Sequence, residues 1–272
     1  MLTSTNPTTV EPRSRPHAGL EPHGPKVLLA TDDSDAARSA EGWIRRLRWA
    51  QPPMVDVLCV APRPSLAARV GLQTYRTAVR DAVRDSDQTT LLAAQRIANE
   101  VGLRLQDAGT AVRTWARQGR VAEEIVTLAG LEQADLVVVA DRSQPRGLLG
   151  RGRTVSIEVA RRAGQAVLIV RETPDGDGPL PSRIAVLAET TAGADEVVRW
   201  LARAGWLAGA SVTTHLPDTA VDLSGVDLVA VSRSSSESHG DVSMRLSQEA
   251  GLTMLAVGVP PLAVALDVPT DA

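Results

Sequence analysis

The residues of this chain that are best suited to chemistry lie in one stretch, ADRSQPRGLLGRGRTVS, at 140–156. The stretch follows a run of β-forming residues, LVVV, and precedes a helical pattern, IEVARRA. Glycine and arginine between a strand and a helix are typical of phosphate-binding loops, because backbone amides, the helix dipole and guanidinium groups all favour an anion. The stretch therefore predicts an anion-binding loop, with a solvated basic loop as the alternative.

A carboxylate, Asp32, follows the first apolar run of the chain, at 26–31. Ligands of open α/β sheets bind outside the carboxyl ends of the strands, which makes Asp32 a candidate ligand-binding residue. Asp33 and Ser34 come next and are typical helix-capping residues, so helix capping is an alternative role for Asp32. The two roles are compatible.

Apolar runs of strand length alternate with helical patterns over the first 171 residues. The strands are predicted at 26–31, 54–62, 110–119, 135–141 and 165–172, and the longest helix at about 74–107. Strands that alternate with helices favour right-handed βαβ crossovers and a parallel sheet. We therefore predict an α/β fold with an open, parallel, five-stranded sheet and helices on both faces.

The chain repeats this pattern in shorter form after a linker. The linker, ETPDGDGPLPS at 172–182, lacks apolar periodicity and contains three prolines. RIAVLAETTAGADEVVRWLARAG then parallels the start of the first half, DLVAVSRS parallels DLVVVADRS, and AGLTMLAV parallels AGQAVLIV. The repeat predicts a reduced second copy at 183–272, which has no counterpart of the long helix, the third strand or the helix after it.

Composition narrows the classes of function. The net charge of −3 gives no reason to expect nucleic-acid binding, and no apolar run is long enough to span a membrane. Cys59, the single cysteine, is predicted to be a buried apolar residue of a cytoplasmic protein. Histidine and cysteine spacing matches neither a metal site nor a catalytic nucleophile, so we expect no enzyme. Residues 1–25, with five prolines, are predicted to be a disordered tail.

Four segments together resemble the universal stress protein family. They are the opening strand that ends in Asp32, the helix start GRVAEEIV, the strand ADLVVVA and the closing VSIEVARRAGQAVLIVR. The resemblance covers nearly all of 26–171. It implies a fold of the adenine-nucleotide-binding type, a cytoplasmic stress-response role that depends on binding, and domains that pair through their last strand, either within one chain or in a homodimer.

Nucleotide-binding members of that family carry a G-2x-G-9x-G-[ST] loop. Aligned without gaps, this chain has Ala140, Ser143 and Arg153 at the three glycine positions and Thr154 at the hydroxyl position. A side chain at Arg153 obstructs the close approach of backbone to phosphate that glycine allows. An alternative alignment places LLG at 148–150 on the family's loop, but it requires two compensating gaps.

The resemblance assigns the candidate site to the ends of the first, second and fourth strands and to the start of the helix after the loop. The candidate residues are Ala30, Thr31, Asp32, Val60, Ala140, Arg142, Ser143, Arg153, Thr154, Val155 and Ser156. Val60 matches a position that lines the adenine site, and it is equally compatible with the core. ATP is the candidate cofactor. The leading interpretation is a regulatory binding protein with an altered nucleotide loop; a genuine ATP-binding member and a protein-interaction module with an unknown protein partner are the alternatives.

Overall fold

The computed structural model describes residues 24–62, 77–141, 154–171, 181–216, 222–233 and 252–258. The predicted tail up to residue 23, the loop at 142–153 and most of the linker lie outside this part of the chain. Three candidate site residues, Arg142, Ser143 and Arg153, therefore remain predictions.

Strands and helices alternate in the order that the sequence predicts. The strands are β1 (Lys26–Ala30), β2 (Met54–Pro62), β3 (Ala111–Gly119), β4 (Leu136–Asp141), β5 (Ala166–Arg171), β6 (Arg183–Leu187), β7 (Ser211–His215), β8 (Leu228–Arg233) and β9 (Thr253–Gly258). The helices are α1 (Asp35–Arg46), α2 (Thr77–Asp107), α3 (Val121–Leu131), α4 (Val155–Arg162) and α5 (Thr191–Ala204).

The described strands form one sheet in the order β3-β2-β1-β4-β5-β9-β8-β6-β7. Neighbouring strands are parallel within 26–171 and again within 183–258. Only β5 and β9 are antiparallel, and they pair Val167 with Ala256 and Ile169 with Met254. The predicted α/β class with a parallel sheet is confirmed. The two halves of the chain meet at β5 and β9 and continue each other's sheet.

Aliphatic side chains on both faces of the sheet form two core layers. Helices α1, α2 and α5 cover one face, where Ile44, Leu105 and Leu201 are almost fully buried. Helices α3 and α4 cover the other face, where Ile125 and Val159 are buried. Burial of a side chain of this size stabilises the fold by about 1.5–3 kcal/mol, which is why strands buried on both faces are runs of valine and leucine.

Hydroxyl side chains set where the first helix of each half begins. Ser34 Oγ accepts a hydrogen bond from the Ala37 amide at 3.3 Å, and Thr190 Oγ1 accepts one from the Gly193 amide at 3.1 Å. Each bond satisfies an amide that has no partner inside the helix. Among the described residues, no helix is both long and apolar enough to cross a membrane.

Candidate functional site

A crevice is expected where β1 and β4 lie side by side, because their chains leave the sheet on opposite faces. After β1 the chain enters α1 on one face, whereas β4 and β5 are connected through α4 on the other face. Such a point, outside the carboxyl ends of neighbouring parallel strands, is where ligands of open α/β sheets bind. We call the row formed by the carboxyl ends of β1, β2, β4 and β5 the first edge.

The turn between β1 and α1 is built by its own polar side chains. Asp32 Oδ1 accepts a hydrogen bond from the Ser34 amide at 3.1 Å, and Thr31 Oγ1 accepts one from the Asp33 amide at 3.2 Å. Thr31 is buried and Asp32 is exposed. Asp32 thus accepts a local hydrogen bond from the Ser34 amide, whereas the residue that caps α1 is Ser34 itself. The carboxylate of Asp32 remains accessible at the first edge.

Arg104 of α2 braces this turn from a neighbouring helix. Its Nη2 donates to Asp33 Oδ1 at 2.9 Å and to Glu41 Oε1 at 2.7 Å, while Nε donates to Glu41 Oε2 at 3.0 Å. Glu41 is buried in α1, and Asp33 has the unusual backbone angle φ +57°. The Glu41 hydrogen bonds foremost, and then the two carboxylate charges, raise the pKa of Arg104. The guanidinium therefore stabilises both a buried charge and a strained turn.

Asp141, at the end of β4, occupies the side of the first edge where α4 begins. Its Oδ1 accepts a hydrogen bond from Ser156 Oγ at 3.2 Å, and Ser156 Oγ lies 2.9 Å from Thr154 Oγ1. Arg171 at the end of β5 pairs with the other carboxylate oxygen at 3.3 Å. Asp141 and Ser156 are both buried. A carboxylate thus binds the hydroxyl group of Ser156, a candidate residue that lies beside Thr154, the hydroxyl position of the family's loop.

The structure brings most of the described candidate residues to the same edge. Ala30, Val60 and Ala140 are half-buried at the strand ends, and Ala30 and Val60 share the α3–α4 face of the sheet. Thr154 and Val155 are exposed at the start of α4. Alternation along β4 places Asp141 on that α3–α4 face too, two residues after Val139. The first edge therefore combines an apolar strip with a carboxylate where α4 begins.

Cys59 lies in β2 behind the first edge. Burial, followed by the negative charges of Asp32 and Asp33, raises the pKa of its thiol to about 12. A thiol with such a pKa is neutral at physiological pH and is a poor nucleophile. Among the described residues, no group of three or more histidine, cysteine or acidic side chains is arranged to hold a metal ion.

The ends of β6, β8 and β9 form a second edge, which faces the opposite way because β5 and β9 are antiparallel. Ala30 pairs with Val139, and Leu187 pairs with Val231, so Asp141 and Arg233 take matching positions two residues further on. Among the residues that the structure describes, the hydrogen-bond partners of Arg233 are backbone carbonyl groups and not hydroxyl groups. Its guanidinium donates hydrogen bonds to the carbonyl oxygens of Ala160, Ala163 and Gln165.

Sequence reasoning missed three of these polar residues. Arg104 lies far along the chain from Asp33 and Glu41 and joins them only through the packing of α2. Asp141 and Arg233 are not among the candidate residues that the sequence predicts. One signal was available for Arg233, since the repeat aligns DLVAVSRS with DLVVVADRS and places arginine opposite aspartate.

A model of the Universal stress protein family matches residues 25–171, which is more than half of the 272 residues. The chain belongs to the universal stress protein family. The match contains β1 to β5, and with them the whole first edge of this family member. A comparison with curated proteins finds no match.

Solved structures include several universal stress proteins that are similar to this family member. One is from Archaeoglobus fulgidus DSM 4304, with 15% identity, coverage of 86% of this chain and 76% of that one, and a TM-score of 0.48. Another is in complex with cAMP, with 24% identity, coverage of 55% and 98%, and a TM-score of 0.39. A third, from Arabidopsis thaliana with AMP bound, has 17% identity, coverage of 56% and 94%, and a TM-score of 0.35.

Proposed function

We propose that this chain is a cytoplasmic universal stress protein that acts by binding and regulation, not by turnover, and that its first edge binds ATP weakly or not at all. The observation that carries the proposal is the hydrogen bond from Ser156 to the buried carboxylate of Asp141. A phosphate at this position would compete for the same hydroxyl and would meet a like charge. Arg171 offsets part of that repulsion but is already paired with Asp141.

We propose adenine nucleotides as the ligand class because two of the similar solved structures contain cAMP and AMP. Ala30 and Val60 supply an apolar strip for a base, and Asp32 supplies an accessible carboxylate near the position expected for a ribose. These proposed contacts with the base and the ribose do not require a phosphate group on the ligand. We therefore propose that adenosine binds at least as tightly as ATP.

Calorimetric titration with adenosine, AMP and Mg-ATP tests the proposal. In the unmodified protein we expect an ATP dissociation constant in the millimolar range or weaker, corresponding to about −4 kcal/mol or less of binding free energy. Asp141→Asn retains the size of the side chain and removes the charge, so ATP should bind at least about tenfold more tightly. Glu100→Gln, which removes the same charge from an exposed position of α2, is the matched control and should leave ATP binding unchanged.

Two results contradict the proposal in different ways. Micromolar ATP binding that Asp141→Asn weakens would identify a genuine ATP-binding member, the alternative that Thr154 and Ser156 at the first edge favour. Absence of both adenosine and ATP binding from the unmodified protein and from Asp141→Asn would reject a nucleotide site, and would favour the interaction-module alternative.

We also propose that residues 183–272 are a reduced second copy of the family domain at 26–171, joined to it by the linker at 172–182. The strand order β7-β6-β8-β9 supports this, because it repeats β2-β1-β4-β5 with the same parallel neighbours. We assign the candidate nucleotide site to the first copy, since the guanidinium at the second edge, that of Arg233, already donates hydrogen bonds to three backbone carbonyl groups.

A further inference from the structure

Helix α4 is held at its two ends by the two halves of the chain. At its amino end, Ser156 donates a hydrogen bond to Asp141 of the first half. At its carboxyl end, Arg233 Nη1 donates to Ala160 O at 2.7 Å and to Ala163 O at 2.6 Å, and Nη2 donates to Gln165 O. These carbonyl groups belong to the last turn of α4 and to the segment that leads into β5, where no helical amide can reach them.

At this helix end the backbone supplies one bond, from the Ala163 amide to Val159 O, and the chain then leaves the helix without a left-handed residue. The residue after α4 is Ala163, with the extended angles φ −70° and ψ 135°, whereas α5 ends at Gly205 in the left-handed conformation. A guanidinium offers several donors in one plane and a positive charge that suits the negative end of a helix. Arg233 thus does at α4 what a terminal glycine does at other helices.

Gly258 leaves room for this contact. Arg233 pairs in register with Gly258 of β9, and a Cβ atom at Gly258 would lie 2.8 Å from Arg233 Nη2. The matching pair in the first half is Asp141 and Arg171, both of which carry side chains. The small residue at 258 is therefore part of the arrangement that lets Arg233 reach α4.

We propose that Arg233 is a positioning residue of the first edge. By holding the carboxyl end of α4, the second half of the chain determines where Thr154 and Ser156 stand and so tunes the affinity for a phosphate-bearing adenine nucleotide. The affinity part of this inference rests on the proposed function. The helix α4 has only eight residues, so a shift at its carboxyl end also moves its amino end.

Hydrogen exchange of the full chain tests the positioning of α4 directly. Arg233→Met should accelerate amide exchange in α4 by about tenfold or more, with Arg233→Lys intermediate, while α1 stays unchanged. Arg203→Met, which removes an exposed arginine of α5, is the matched control and should leave α4 unchanged. Unchanged exchange in α4 after Arg233→Met, or equal acceleration in every helix, would overturn the proposal.

Gly258→Ala keeps the test informative if Arg233→Met does not fold. The added methyl group displaces the guanidinium without removing any hydrogen-bonding group. We expect about threefold faster exchange confined to α4. A folded Gly258→Ala protein with native exchange in α4 would contradict the role of Arg233.

Binding measured in the Asp141→Asn background tests the affinity part. Adding Arg233→Lys should weaken Mg-ATP binding about fivefold and adenosine binding less than twofold, because only the phosphates extend toward α4. A general loss of stability would weaken both ligands alike, and that result would reject the coupling. If Asp141→Asn binds no nucleotide, the proposed function fails, and the exchange experiment still decides whether Arg233 positions α4.

Discussion

The two carboxyl edges of the sheet carry opposite charges at matching positions and hold the same helix. Asp141 ends β4 and contacts the first turn of α4, whereas Arg233 ends β8 and contacts its last turn. Because β5 and β9 are antiparallel, the strands of the second half run opposite to those of the first. The matching residues Asp141 and Arg233 therefore reach opposite ends of α4. The helix dipole favours an acid at the amino end and a base at the carboxyl end.

The comparison explains why only the first edge is a candidate site. At the first edge two polar groups are accessible beside an apolar strip, Asp32 after β1 and Thr154 at the start of α4. At the second edge the arginine at the strand end is already engaged with three backbone carbonyl groups. The same arrangement of strands thus carries a candidate ligand position in one half and an internal contact in the other.

The largest expected effect concerns the contact of Arg104 with Asp33 and Glu41 in the first half, for which the described residues of the second half show no counterpart. Arg104→Met leaves Glu41 buried without its guanidinium partner and releases Asp33, so we expect a loss of about 3 kcal/mol in the free energy of unfolding. Urea denaturation measures this loss. Arg96→Met, which removes an exposed arginine of the same helix, should change stability by less than about 0.5 kcal/mol. Equal effects of the two substitutions would show that the brace contributes nothing.

The second effect is a pH dependence of the free energy of unfolding that comes from the thiol of Cys59, the single cysteine of the chain, behind the first edge. Its pKa rises from 9.0 to about 12 in the folded protein, so the folded state retains a proton that the unfolded chain releases. The contribution to stability is complete below pH 9 and is lost as the pH rises toward 12, with about 1 kcal/mol lost by pH 10. Cys59→Ala should remove this part of the pH dependence in denaturant titrations at pH 8 and pH 10. An unchanged slope in Cys59→Ala would contradict the burial of the thiol.

The next effect is the change in stability caused by a side chain at the point where the first helix of the second half approaches its sheet. Gly193 and Ser232 in the second half match Ala37 and Ala140 in the first, and a Cβ at Gly193 would lie 2.7 Å from Ser232 Oγ. We expect Gly193→Ala alone to be near neutral, because a gain of about 1 kcal/mol in helix propensity is offset by that contact. In the Ser232→Ala background the gain should appear in full. Additive effects in this double-mutant cycle would show that the two residues do not touch.

The smallest effect is the difference in stability loss when each of the two hydroxyl groups at the start of α4 is removed. Ser156→Ala removes a buried hydrogen bond to Asp141 and should cost about 1 kcal/mol. Thr154→Ala acts at an exposed position and should cost less than about 0.5 kcal/mol. Thermal unfolding of both variants checks the order. A reversed order would mean that Thr154, and not Ser156, is the main contact of the acid.

Local pattern was enough to predict much of the fold and part of the candidate site. The predicted strand at 54–62 is β2, Met54–Pro62, because apolar residues bounded by prolines leave few alternatives. The position of Asp32 follows from the apolar run before it, whereas Thr154 and Ser156 were assigned to the start of a helix by the family resemblance. The prediction stopped where contacts are distant in sequence. Arg104 reaches Asp33 across 71 residues, and Arg233 reaches Ala160 across 73.

The sequence by itself determined the α/β class, the alternation of its elements and the family to which 25–171 belongs, because burial and helix capping act over a few residues. Only the tertiary structure decided that both halves share one sheet, that Asp141 binds the hydroxyl of Ser156 and that Arg233 holds the far end of α4. Those features depend on the antiparallel pairing of β5 with β9 and on how α4 packs against the sheet. The charge of a side chain does not predict which end of a helix that side chain will contact. The contact depends on the direction from which the strand approaches the helix, and the assembled sheet sets that direction.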